Sequence, residues 1–136
     1  MAFTSLGALV ATCAALPVAG IKKQVAYRPR LISAADLPLL YARLPSSNRE
    51  LSTLTYGQGL RHAIIELVIL VEMLMLDTQQ ANDGLTVVLL DNLAMALEAN
   101  AELLGLDNYA LVTEADTLGD GTRPVQSIIA TLEVSG

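Results

Sequence analysis

Few side chains in this sequence could carry chemistry, and their spacing works against it. Glu66 and Glu72 lie six residues apart in a long apolar run. On a strand they share a face but stand about 20 Å apart at ~3.3 Å per residue, too far to act on one substrate atom. His62, the only histidine, is four residues from Glu66, roughly 13 Å on the same estimate. Only a carboxylate from another segment could orient its imidazole, and a Ser-His-Asp or Cys-His device would rest entirely on it. A single cysteine, Cys13, excludes an intramolecular disulfide. One Cys and one His also fall short of the three or four ligands of a Cys/His zinc site.

Other motifs are weaker still. Gly119–Pro124, GDGTRP, places glycines near an arginine but lacks the spacing and the Lys-Ser/Thr pair of a phosphate-binding loop. Asp107, Glu114, Asp116 and Asp120 do not follow the calcium-loop pattern and read as a solvated face. Tyr27–Arg30, YRPR, is the only compact basic motif. One phenylalanine and four tyrosines, not interleaved with Lys/Arg, cannot build a base-stacking surface. The expectation is a protein without catalytic, cofactor or metal residues, and not an enzyme.

The elements that would position these groups follow from periodicity. Leu6, Leu9, Val10, Cys13 and Leu16 fall on one helical stripe, with Thr4 or Ser5 as cap and Pro17 and Gly20 as terminators. No Lys or Arg precedes this apolar stretch, so it reads as an amphipathic helix rather than a secretory signal, and it is too short to span a membrane. Between Ile21 and Arg61 the helical period disappears. Prolines at 29, 38 and 45 punctuate short extended segments at Lys22–Tyr27, Leu37–Leu44 and Leu51–Tyr56.

Gly57 and Gly59 mark a hairpin turn into a long strand. Ala63, Ile65, Leu67, Ile69, Val71 and Met73 form its apolar face; His62, Ile64, Glu66, Val68, Leu70 and Glu72 form the other. Asn82 or Asp83 can cap a second helix that Gly105 closes, with Leu85, Leu89, Leu93, Ala96 and Leu97 on its inner stripe. Tyr109–Ala115 and Val125–Val134 complete the pattern as two strands. The reading is one α+β domain over 1–136: a mainly antiparallel sheet with the N-terminal helix and one longer helix packed on one face.

Composition adds a partner argument. The chain has 136 residues, 53% of them hydrophobic, and a net charge of −6. Residues 1–61 carry seven Lys/Arg and two acids; residues 62–136 carry one Arg and twelve acids. An acidic total argues against general nucleic-acid binding. A mean hydropathy of +0.50 in so small a domain predicts apolar surface that meets other chains.

Taken in order, the amphipathic N-terminal helix, the segments KKQVAYRPR, LPLLYARLPS and STLTYGQGLRHAIIELVILVEM, the capped helix and the final strand VQSIIATLEV resemble the tail terminator family of long-tailed bacteriophages. The resemblance covers nearly the whole chain and rests on element order. It implies an α+β virion protein that closes into a homohexameric ring, caps the tail tube and offers a face to the head connector, with DNA only passing through the lumen. No turnover, cofactor or membrane is implied. Other neck or minor tail proteins, a monomeric binding module and a small enzyme are the alternative classes.

A ring uses one flank of each subunit against the opposite flank of its neighbour. The expected basic side is Arg28, Arg30, Arg43 and Arg49; the expected acidic side is Asp107, Glu114, Asp116 and Asp120. Charge reversal at Arg43 or Arg49 is expected to weaken oligomers in a salt-dependent way. The halves are expected to mix within one sheet, so that separation in sequence need not survive on the surface. The loops PSSNRE and TLGDGTRP are expected to change most on docking.

Overall fold

The computed structural model describes residues 6–44, 54–57, 60–73, 79–118 and 123–135. Arg49, Asp120, the PSSNRE loop, the centre of TLGDGTRP and the caps expected at Thr4 or Ser5 lie outside these. The described chain is α+β, as its sequence predicts.

Its sheet has six strands: β1 (Lys23–Gln24), β2 (Leu39–Arg43), β3 (Leu54–Gly57), β4 (Leu60–Glu72), β5 (Leu106–Leu118) and β6 (Arg123–Ser135). The path runs β1-β2-β4-β6-β5, with β3 also on β4. Four of the pairings are antiparallel; β1 runs parallel to β2. Because β6 follows β4 from His62 to Glu72, β2 and β3 share the other edge of β4, one after the other.

The period-two pattern of β4 decides the layers. Ala63, Ile65, Leu67, Ile69 and Val71 are buried with Leu40 and Ala42 of β2 and with Ile128, Ala130, Leu132 and Val134 of β6. Helix α1 (Leu6–Ala14) and helix α2 (Gln79–Ala99) cover this face with Leu9, Val10, Cys13, Leu89, Leu93 and Leu97. Both helices thus lie on one face, as expected.

The end of α1 is tied down by one amide. Gln24 Nε2 donates to the carbonyls of Ala14 and Leu16 at 2.8 and 2.7 Å, satisfying acceptors that a helix terminus leaves free. Asn92 Nδ2 similarly bonds Ala19 O at 2.9 Å, fixing α2 to the connection after α1. Next to it Gly20 has φ +89, and a Cβ there would come 3.1 Å from Leu89 Cδ2. Gly20→Ala is therefore expected to cost about 1–2 kcal/mol for the left-handed backbone, measured as a lower midpoint in thermal unfolding.

The second helix departs from the sequence reading in three details, and the strand expected at Lys22–Tyr27 is confined to Lys23–Gln24. Helix α2 begins at Gln79, so Asn82 and Asp83 stand inside it and do not cap it; Gln79, Gln80 and Ala81 are good helix formers that extend the helix backwards. It also breaks at Asn100, whose Nδ2 bonds Ala96 O at 2.8 Å, before a short turn α3 (Ala101–Leu104) closed by Gly105 in the left-handed conformation. Leu85, expected on the inner stripe, is 43% exposed.

The second sheet face is drier than its alternating sequence suggests. Leu39, Tyr41, Val68, Leu70, Val125 and Ile129 form a second apolar cluster with Leu37 and Leu118, against which Val25 and Ile32 pack. The irregular segment between β1 and β2 is what covers it.

Candidate functional site

The sheet order turns a split in sequence into a split in space. Lys22, Lys23, Arg28 and Arg30 belong to the β1 flank, while Asp107, Glu114 and Asp116 belong to β5 at the far edge. Four strand spacings of ~4.8 Å put roughly 19 Å between the two outer strands. The halves do meet, as expected, where β2 pairs with β4. Their outer members stay apart.

The basic flank is built by ladder-like bonds that carry the chain outward. Val25 N donates to Leu40 O at 2.9 Å and Ala42 N to Ala26 O at 3.2 Å, so residues 23–26 line the outer edge of β2. The chain then turns through Tyr27–Leu31. Arg28 Nη1 donates to the Tyr41 hydroxyl at 3.1 Å, and its guanidinium carbon lies 5.7 Å from the Tyr41 ring centroid. Arg28 and Arg30 are both exposed. Lys23 pairs with Asp36 at 3.7 Å.

Arg43 stands differently from these. It is the Cα partner of Glu66 across β2 and β4, and its Nε donates to Glu66 Oε1 at 2.7 Å. The side chains are 34% and 13% exposed. Partial desolvation lowers the guanidinium pKa, and the hydrogen bond and charge of Glu66 more than reverse it, leaving Arg43 above its ordinary value. Arg43 therefore has a partner inside its own chain and is not a free cation of the basic flank.

The acidic flank has two parts. On β5, residues 112–117 are all exposed, and no described residue forms an ion pair with Glu114 or Asp116. Asp116 accepts a bond from the Thr117 backbone at 2.8 Å. The second part is α2, joined to β5 by Tyr109, whose hydroxyl donates to Glu98 Oε1 at 2.8 Å.

Asp107 sits at a register shift between β5 and β6 and supplies the carboxylate from another segment that His62 lacked in sequence. Its Oδ2 accepts from Ser135 Oγ at 2.8 Å and lies 4.0 Å from His62 Nδ1. In a nucleophilic triad the serine bonds the histidine. Here Ser135 is bonded to the carboxylate, and both ion-pair side chains are about half exposed, so this geometry is not that of a triad.

Cys13 is fully buried, and burial pushes its thiol up to about 12; the thiolate needed for nucleophilic attack is thus disfavoured. An open groove of about 370 Å³ between α1 and α3 is lined by residues such as Ala11, Thr12, Leu16 and Leu103, without a titratable side chain. Among the described residues no three His, Cys, Asp or Glu side chains are grouped to hold a metal, and no helix is long and apolar enough to cross a membrane.

Of the eight sequence-predicted interface residues, Arg28 and Arg30 fall on one flank and Asp107, Glu114 and Asp116 on the other; Arg43 is drawn inward. Exposed apolar residues that a reading by charge alone leaves out are Tyr27 and Leu31, on either side of Arg28, Pro29 and Arg30, and Val87, Val88 and Met95 on the outer face of α2. No family model matches the sequence, and no curated protein matches it.

Proposed function

We propose that this chain is a structural virion subunit of the tail-terminator kind. Copies join head to tail into a homohexameric ring that caps the tail tube and presents a face to the head connector. The observation that supports this reading is the placement on opposite ends of one sheet of Arg28 and Arg30 and of Glu114 and Asp116, none of which forms an ion pair among the described residues. Such a subunit matches its neighbour through two different surfaces, a contact that closes by rotation. Complementary charge sets the register and hastens encounter more than it adds affinity. The role needs no cofactor and no turnover. DNA would traverse the lumen, where acidic groups retain phosphates less than basic ones do.

Imaging of the protein alone and mixed with candidate tail tubes tests the proposal, with a six-fold ring at the tube end as the expected result. No ring and no tube binding would overturn it. The double variant Arg28→Glu/Arg30→Glu is expected to lower the assembled fraction, most strongly at low salt where charges act over longer distances. An assembled fraction equal to that of the unmodified chain at low and high salt would exclude these residues from the contact.

A further inference from the structure

The outer face of α2 is an unusual surface for a solvated helix. Val87, Val88 and Met95 are 54%, 53% and 62% exposed and, at helical spacing, lie on the side opposite the buried Leu89, Leu93 and Leu97. Asp91 and Glu98 share that side, and both are exposed. From Gln79 to Leu104 there is no Lys, Arg or His. An apolar strip with only anions around it calls for a partner that is apolar and cationic.

One exposed segment of the same chain has that chemistry. In the turn Tyr27–Leu31, Tyr27 is 66% and Leu31 86% exposed, with Arg28 and Arg30 between them and no acid from Lys22 to Leu31. Tyr27 and Leu31 belong to neither apolar cluster of their own chain. Ile32, which follows the turn, packs on the second sheet face, while Ala26, which precedes it, reaches the core face that α2 covers.

The geometry points to a contact between copies in which the Tyr27–Leu31 turn of one subunit lies on the Val87–Val88–Met95 strip of the next, with Arg30 beside Asp91. Tyr27 and Leu31 supply apolar area, and the two arginines meet a helix face that carries no cation. The inference rests on the head-to-tail assembly proposed above and names the part of the acidic flank that is touched. Because turn and strip are different surfaces, a subunit that uses one of them in a contact keeps the other free for a further neighbour.

Cysteine cross-linking tests this on the full chain, since the buried Cys13 leaves a quiet background. Leu31→Cys and Val88→Cys variants are prepared separately and treated with a short thiol-reactive cross-linker, alone and mixed. The expected result is a covalent dimer several-fold more abundant in the mixture than in either variant alone. Equal yields, in a sample whose unmodified chain self-associates by light scattering, would overturn this contact and leave the assembly reading standing. An unmodified chain that neither self-associates nor joins a tail tube would remove both.

A charge exchange provides the second arm. Arg30→Glu is expected to weaken association about tenfold, and adding Asp91→Arg to restore it. Failure of the double variant to recover association, with both proteins folded, would also overturn the contact.

Discussion

Truncating Leu67 to alanine is expected to cost about 4 kcal/mol of folding stability, near the upper part of the range for buried leucines. The neighbours give the reason. Leu67 is fully buried on β4, and its Cα partners are Ala42 on β2 and Ala130 on β6. All three belong to the main core. In that row the leucine fills space that neither alanine reaches, so its removal leaves three small side chains abreast and a void that rigid strands cannot close. Against a total of roughly 5–15 kcal/mol, such a loss brings the domain close to unfolding at ambient temperature. A lower denaturant midpoint with an unchanged slope would record it. Leu85→Ala, at a site 43% exposed, is the matched control and should cost under about 1 kcal/mol.

The second large effect is at Arg43. Reversal to glutamate sets two carboxylates side by side across a β ladder, where Glu66 is only 13% exposed. Breaking a fully buried pair costs about 3–5 kcal/mol. With Arg43 about one-third exposed, solvent screening reduces the expected loss to roughly 2 kcal/mol. The loss appears as reduced stability of the isolated chain, before any question of assembly. Reversal at Arg43 thus probes the fold, whereas Arg28 and Arg30 probe the flank. A double-mutant cycle with Glu66→Gln checks the assignment: the Arg43→Glu penalty should shrink markedly when the opposing carboxylate is gone. An equal penalty in both backgrounds would mean that Glu66 is not its source.

What could be read beforehand follows the physics of each element. β4 announced itself because both its faces are patterned, and the inner stripe of α2 because Leu89, Leu93 and Leu97 recur at helical spacing. β5, read as Tyr109–Ala115, runs from Leu106 to Leu118; Asp116 and Thr117 beyond the expected end are exposed, so no alternation marks them as strand, and only pairing with β6 makes them one. The segment that covers the second face was illegible for a related reason: Val25, Ile32 and Leu37 have no common period and meet only in the folded chain.

The candidate site divides in the same way. Its charge split was plain in composition, but whether the halves separate depends on the order of strands, which composition does not encode. Arg43 shows the limit most clearly. Its sequence neighbourhood places it at the end of an extended segment but names no partner, and only the β2 to β4 register sets it opposite Glu66.

The exposed strand β5 also bears on which associations are disfavoured. As the last strand of the sheet it presents a row of backbone donors and acceptors that another strand could extend, a hazard that exposed edges carry generally. The readiest partner for such an edge in a concentrated solution is an identical edge. Two β5 strands laid together would bring Glu114 and Asp116 of one copy towards the same acids of the other, and that repulsion penalises a two-fold, self-paired dimer. The carboxylates of β5 therefore discriminate against pairing with a twin edge.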